Sequence, residues 1–133
     1  MMRMTILHFI RLLPVLLLAV AASVYVFYIE GEDAYAHRNV APMLVVVFLA
    51  TITLLRGSGR WAGSGWSWPL GTFGFAIPAI GLSIYLHYGY ATDLNGMYSN
   101  AVYPKELFRY LPMYTLFAGG IGFAIGWIVG REV

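Results

Sequence analysis

Four long apolar stretches, separated by short polar segments, constrain this chain more than any other feature of its sequence. They cover about residues 9–29, 40–55, 68–88 and 107–129. The hydrocarbon core of a bilayer takes roughly 20 helical residues to cross. Backbone polar groups cannot stay unpaired in lipid, and the stretches lack the period-two alternation of barrel strands. The sequence therefore predicts an all-α integral membrane protein, with four transmembrane helices in a single domain over residues 1–133.

The composition excludes an ordinary water-soluble domain. Hydrophobic residues make up 60% of the chain and charged residues 11%, whereas soluble proteins carry about 25% charged residues. Such a chain cannot cover its surface with polar groups, so we expect the lipid bilayer to surround it. The net charge of +2 gives no indication of a nucleic-acid partner. The absence of cysteine excludes thiolate metal sites and disulfides.

Two of the stretches leave an alternative open. The first follows Arg3 and Arg11 and resembles a signal peptide, but its apolar run exceeds the usual ~7–15 residues, which favours a retained helix. The second, Val40–Leu55, is short, and a re-entrant element is the alternative to a spanning helix. Pro42 stands near its start, where a missing N–H does no harm.

Charges and aromatic residues predict that both termini are cytoplasmic. Five of the eight basic residues fall on the predicted inner side: Arg3, Arg11, Arg56, Arg60 and Arg131. An excess of basic residues marks the cytoplasmic side of a membrane protein. The tryptophans lie towards this side and the tyrosines on or near the other. We therefore expect a multi-pass protein of the cell inner membrane, arranged as an antiparallel bundle. It has a short, flexible Gly-Ser inner loop and a longer Tyr-rich outer loop.

A stripe of small residues runs along the fourth predicted span. Ala118, Gly122, Gly126 and Gly130 each follow the last by four residues, which places them on one helix face. Small residues at this GxxxG-type spacing allow two helices to approach closely in lipid. The stripe predicts a helix-packing interface, either within this chain or onto another protein. In the third span, Pro78 predicts a kink, which shapes packing or, as in some transporters, marks a ligand site.

The search for chemistry finds little. The predicted spans carry no Asp, Glu, Lys or Arg in their middle parts, which argues against a self-contained proton-coupled carrier. His87 and His37 fit an interfacial histidine or one bonded to a loop carbonyl better than a haem ligand. Glu30, Glu32, Asp33 and His37 fit an exposed acidic loop better than a cation site. The nucleophile and phosphate-binding motifs that would indicate an enzyme are missing, and we expect no cofactor or metal.

The predicted outer loop before the fourth span is rich in tyrosine and asparagine. Such side chains are enriched at protein interfaces, so we expect a partner contact here. Its predicted residues are Tyr88, Tyr90, Asp93, Asn95, Tyr98, Asn100 and Tyr103.

The first half of the chain is similar to the small membrane subunit of tripartite carboxylate transporters. The likeness consists of a first helix, an outer loop, Pro42 before the second helix and a Leu55-Arg56-Gly57 exit. The Tyr-rich loop and the Gly-rich fourth helix depart from that pattern. The lack of ionisable residues inside the spans, the smooth face of the fourth helix and the aromatic outer loop predict a non-catalytic accessory or scaffold subunit of a larger membrane complex. A transport complex, for example one similar to a tripartite carboxylate transporter, is the first candidate for the host. A homo-oligomeric channel or carrier and a quinone- or haem-binding respiratory anchor stay open as alternatives.

Overall fold

The computed structural model describes residues 6–30, 35–92 and 106–132. They form helices α1 (Ile6–Glu30), α2 (Tyr35–Asn39), α3 (Ala41–Arg56), α4 (Ser67–Thr92) and α5 (Glu106–Glu132). Four helical segments within these ranges are long and apolar enough to cross a membrane: Ile6–Glu30, His37–Arg56, Ser67–Thr92 and Arg109–Glu132. For the described residues, the prediction of a helical protein with four helices able to span a membrane is confirmed, and these helices indicate a multi-pass membrane protein.

The helices run past the predicted ends of the apolar stretches. Residues 89–92, which were expected in the outer loop, continue α4. The short α2 lies where a loop was expected, and one residue, Val40, separates it from α3. The carbonyl of Val40 accepts from Met43 and Leu44, so the second span extends to 20 residues, His37–Arg56. The length of an apolar stretch indicates only the part of a helix that lies in the lipid core. The helix and its hydrogen bonds continue beyond that part into the membrane interface.

Neighbouring helices run in opposite directions. Arg11 near the start of α1 donates to the carbonyl of Gly59 just beyond α3, and Thr53 in α3 pairs with Thr72 in α4. Gly130 near the end of α5 lies against Trp66, just before α4. The start of α1, the turn between α3 and α4, and the end of α5 therefore share one end of the bundle. We call it the Arg11 end, and the other the Glu30 end.

The core clusters consist mainly of small and medium apolar side chains from α1, α3 and α4, together with the ring of Phe75. Val26, Met43 and Ala79 are fully buried in the larger cluster, and Ala50 and Leu54 in a smaller one. Large apolar side chains cover the outside of the bundle instead, including Leu17, Phe48 and Phe117. In water this arrangement would be unfavourable, but lipid tails solvate such a surface.

The turn between α3 and α4 is held by backbone contacts. Ser58 and Gly59 have positive φ angles of 55° and 93°. A Cβ on Gly57 would lie 1.9 Å from the carbonyl oxygen of Arg60, and one on Gly63 would lie 2.1 Å from that of Gly57. The glycines thus allow backbone segments of the turn to lie close together. The sequence had instead suggested a flexible connection.

Candidate functional site

Three helices bring polar side chains together at the Glu30 end of the bundle. Glu30 ends α1, Asn39 ends α2, and His87 lies near the end of α4. His87 Nε2 lies 2.6 Å from Glu30 Oε2, and Asn39 Nδ2 donates to the same oxygen at 2.7 Å. Glu30 is 1% exposed, and Asn39 and His87 are 0% exposed. We call this group the Glu30–Asn39–His87 cluster.

Hydrogen-bond chemistry constrains where the protons of His87 lie. Nδ1 is 2.7 Å from the carbonyl oxygen of Ser83, one turn earlier in α4. A carbonyl oxygen only accepts, so Nδ1 carries a proton. A second proton lies between Nε2 and Glu30 Oε2, because two bare acceptors would repel at 2.6 Å. Whether the pair is imidazolium with carboxylate or imidazole with carboxylic acid, it is neutral overall, which lowers the cost of its burial.

Two oxygens of the cluster have no hydrogen-bond partner among the described residues. They are Glu30 Oε1 and Asn39 Oδ1, and both are buried. Leaving a buried acceptor unpaired costs about 1–3 kcal/mol, and native proteins rarely do so without water or another ligand. The cluster therefore has unused capacity for a hydrogen-bond donor or a cation.

The sequence interpretation of Glu30 as an exposed loop acid is wrong. Its carboxylate is buried, and its partner His87 is 57 positions away along the chain. His87 is fully buried as well, and its Nδ1 lies 2.7 Å from the carbonyl oxygen of Ser83 in its own helix. One signal was available, because His87 lies inside an apolar stretch and Glu30 directly follows one. Ionisable residues in such places usually have a function.

The other candidate ligands do not extend the cluster into a divalent metal centre. His37 is exposed, and its ring meets that of Phe27 edge-on with 5.3 Å between centroids. Glu32 and Asp33 lie outside the described residues. Within the described ranges, no three His, Cys, Asp or Glu side chains are grouped as a metal site would need.

Three glycines of the predicted stripe face the backbone of α4. A Cβ on Gly126 would lie 2.0 Å from the carbonyl oxygen of Leu70, and one on Gly130 would lie 2.4 Å from that of Trp66. Gly122 is equally close to Gly74. The stripe was predicted to pack either within the chain or onto another protein, and these contacts are packing within the chain.

The remaining packing residues also lie between α4 and α5. Ala118 is half-buried, and the next residue, Gly119, is covered by the ring of Phe75. Pro78 is part of α4 without ending it, and its ring lies where a side chain on Gly122 would be. Pro78 therefore belongs to the α4–α5 contact.

The predicted partner-contact residues divide into two groups. Tyr88 and Tyr90 lie in the last turns of α4, where Tyr88 is exposed and Tyr90 is half-buried. The other five lie outside the described residues: Asp93, Asn95, Tyr98, Asn100 and Tyr103. Tyr88 is therefore available for contact from a helix surface rather than from a loop.

Comparison with known proteins adds no relative. No protein-family model matches the chain, and neither the curated proteins nor the solved structures yielded a match. The resemblance to tripartite carboxylate transporters thus gains no support from them.

Proposed function

We propose that this chain is a small, non-catalytic accessory or scaffold subunit of a larger membrane protein complex, with a transport complex as the favoured host. One observation carries the proposal: the buried polar side chains of the described residues lie in separate patches, and they bond within a patch or to a carbonyl of their own helix. Thr53 and Thr72 pair at 3.0 Å in one patch, and the Glu30–Asn39–His87 cluster forms another. Along α4, the buried Phe75 and Ala79 separate them. The described residues thus offer no continuous polar path, and a partner would have to supply one.

Exposed tyrosines at the Glu30 end support a contact with such a partner. Tyrosine offers a large apolar face and a hydroxyl, and it is enriched both at protein interfaces and at membrane interfaces. The exposed members belong to three helices: Tyr28, Tyr85, Tyr88, Tyr110 and Tyr114. Tyr88 lies four residues before the end of α4, where the predicted outer loop follows in the sequence, so both would contribute to one partner contact.

The proposal places the chain in the inner membrane of a bacterial cell, with the Arg11 end in the cytoplasm. That end carries Arg11, Arg56, Arg60 and Arg131. The Glu30 end carries Arg38 and Arg109, which are linked by a hydrogen bond of 3.1 Å from Arg38 Nη2 to the carbonyl of Arg109. This distribution follows the excess of basic residues on cytoplasmic sides.

The alternative functions receive less support from the described residues. Haem ligation through His87 would break a hydrogen bond of one of its ring nitrogens, either to Ser83 or to Glu30. A homo-oligomeric channel or carrier could not line its path with the glycine stripe of α5, because that stripe packs against α4 within the chain.

Photo-crosslinking in native membranes tests the proposal. A photoreactive phenylalanine analogue replaces Tyr88 on the exposed surface of α4, and Leu44, exposed on α3, serves as the matched control. We expect position 88 to give a discrete adduct with a different membrane polypeptide. Purification in mild detergent should recover the same polypeptide together with this chain. Position 44 should give mainly lipid adducts.

Two results would contradict the subunit proposal. Adducts only between copies of this chain, together with ion or solute flux into liposomes containing it alone, would favour the channel or carrier. A free monomer after mild-detergent extraction, without any adduct from position 88, would exclude a stable complex through this surface.

A further inference from the structure

A groove opens on the outside of the bundle at the Arg11 end, between α1 and α4. Its volume is about 450 Å³, and the buried Val46 of α3 is part of its lining. We propose that this groove binds one anionic phospholipid, with an acyl chain in the groove and the phosphate at Arg11 and Arg60. The inference does not rest on the proposed function, because a channel and an accessory subunit could each carry such a site.

Apolar side chains line the interior of the groove. Val15 and Leu18 contribute from α1, and Phe73 contributes from α4. Thr72 also belongs to the lining, but its hydroxyl oxygen lies 3.0 Å from that of Thr53 and is thus already paired. The interior therefore suits a hydrocarbon chain better than a polar ligand.

The depth of the groove corresponds to one leaflet of a bilayer. Along α4, the lining extends from Trp66, which directly precedes the helix, to Ala76. A helix that rises 1.5 Å per residue covers about 15 Å over this distance, which is half of a hydrocarbon core of roughly 30 Å. A single acyl chain fits this depth, whereas a transmembrane helix of a partner would need a contact surface along the whole bundle.

Two tryptophans line the groove at the Arg11 end. Trp61 is half-buried, and Trp66 is 48% exposed. Tryptophan favours the level of the lipid headgroups, because its ring is apolar and its N–H group donates a hydrogen bond. The entrance of the groove therefore lies at headgroup level, and a lipid whose chain enters here brings its phosphate to the same level.

Arg11 and Arg60 supply positive charge at this entrance. Arg11 lies four residues before Val15 and therefore on the same face of α1, and it donates to the carbonyl of Gly59. Arg60 follows Gly59, is exposed and directly precedes Trp61. The guanidinium group has five N–H donors and suits phosphate well, so its bond to Gly59 leaves Arg11 with donors for a headgroup.

The charge at this end of the bundle favours an anionic headgroup. Among the described residues, Glu132 is the one acidic side chain at the Arg11 end, and its Oε1 lies 3.9 Å from Nε of Arg131. The described part of the chain thus offers no carboxylate to the arginines at the entrance. Basic pockets between transmembrane helices bind anionic headgroups, whereas a zwitterionic headgroup has no net charge to contribute.

The test uses the full-length protein in phosphatidylcholine vesicles that contain increasing fractions of a brominated phospholipid, which quenches tryptophan fluorescence on contact. Brominated phosphatidylglycerol is compared with brominated phosphatidylcholine. We expect phosphatidylglycerol to quench at a lower mole fraction, by about fivefold for each of the two arginines that contact its phosphate. High salt should reduce this preference, because it screens the charges.

Variants separate the groove from a general attraction of lipid to basic residues. Arg60→Gln should reduce the preference for phosphatidylglycerol about fivefold. Arg56→Gln is the matched control and should keep the preference, because its guanidinium lies 5.4 Å from the ring centre of Trp68, outside the groove lining. Ala76→Phe fills the deep end of the groove and should remove the preference.

The fluorescence signal is assigned with a variant that removes both tryptophans of the groove. In Trp61→Phe, Trp66→Phe, the remaining Trp68 and Trp127 should be quenched equally by the two brominated lipids. A preference of the same size in this variant would place the bound phosphatidylglycerol outside the groove.

The wild-type result decides the proposal even where a variant fails to fold. Equal quenching by the two brominated lipids would overturn the anionic lipid site. Equal losses in Arg56→Gln and Arg60→Gln would overturn the role of the groove entrance, and a full preference in Ala76→Phe would place the acyl chain elsewhere. Displacement of the brominated lipid by a neutral quinone, but not by unbrominated phosphatidylglycerol, would assign the groove to a quinone instead.

Discussion

The backbones of Gly74 in α4 and Gly122 in α5 lie in direct contact. A Cβ on Gly122 would lie 1.8 Å from the carbonyl oxygen of Gly74, and one on Gly74 would lie 2.2 Å from that of Gly122. The clash is reciprocal and involves backbone on both sides, so no rotamer change relieves it. Helix association in lipid depends on close packing, so we expect this approach to stabilise the contact between α4 and α5.

Replacing Gly122 should therefore separate the two helices. Gly122→Val forces the backbones apart, and we expect a loss of about 1–3 kcal/mol in the free energy of unfolding. Unfolding in mixed micelles with increasing sodium dodecyl sulfate, followed by circular dichroism, measures this loss.

Gly120 is the matched control, because nothing lies within 4 Å of a Cβ placed there. Gly120→Val should leave stability within about 0.5 kcal/mol of the wild type. Equal effects at both positions would mean that glycine content, rather than the α4 contact, determines the result.

Removing one member of the buried Glu30–His87 pair should destabilise the fold strongly. His87→Leu leaves the carboxylate of Glu30 buried without its proton-sharing partner, and we expect a loss of about 3–5 kcal/mol. The same unfolding assay measures it.

The double variant Glu30→Leu, His87→Leu removes both polar groups and should be more stable than His87→Leu alone. Apolar replacement of a complete buried pair is often neutral or stabilising. Additive losses in a double-mutant cycle would show that the two side chains do not depend on each other.

The hydroxyl pair between α3 and α4 should contribute much less. Thr53 Oγ1 lies 3.0 Å from Thr72 Oγ1 and also bonds to the carbonyl of Leu49 in its own helix. A cycle of Thr53→Val and Thr72→Val should give a coupling free energy of about 0.6 kcal/mol, because polar contacts between helices in membranes are weak on average.

Thr51 is the control for this cycle. It makes the same bond to its own helix, to the carbonyl of Val47 at 2.8 Å. Thr51→Val combined with Thr72→Val should show no coupling. A coupling free energy as large as that between Thr53 and Thr72 would mean that the effect comes from the bond to the helix's own carbonyl, and not from the contact between α3 and α4.

The absence of native cysteine allows a direct test of membrane orientation. Ser64 lies in the exposed part of the α3–α4 turn, and Thr92 lies at the exposed end of α4. The variants Ser64→Cys and Thr92→Cys therefore carry a single thiol at opposite ends of the bundle. A membrane-impermeant maleimide should label Cys at position 92 in spheroplasts, and at position 64 only after the membrane is permeabilised. The reverse pattern would place the Arg11 end outside.

The number and positions of the spans were predictable from local sequence. A helix in lipid satisfies its own backbone hydrogen bonds, so an apolar stretch of sufficient length is enough to specify it. This argument is sufficient for the first, third and fourth spans. The second span, His37–Arg56, was predicted too short, because its first turns contain polar residues that hydropathy places in a loop.

The partners of the buried polar groups were not predictable in this way. Glu30, Asn39 and His87 belong to three helices, and each alone fits an interfacial residue. Their burial depends on how far α1, α2 and α4 extend and on the rotation of each helix, which local sequence does not specify. The same holds for Gly122: its spacing predicted a packing face, but only the tertiary structure assigned that face to α4.

The sequence by itself thus determined that the chain forms four helices long and apolar enough to cross a membrane, because each of these helices depends only on its own local sequence. The tertiary structure decided which side chains meet inside the bundle. It brought a carboxylate and an imidazole, 57 positions apart, to 2.6 Å. This contact depends on the packing of helices against each other, and it is the reason why a buried polar site exists here.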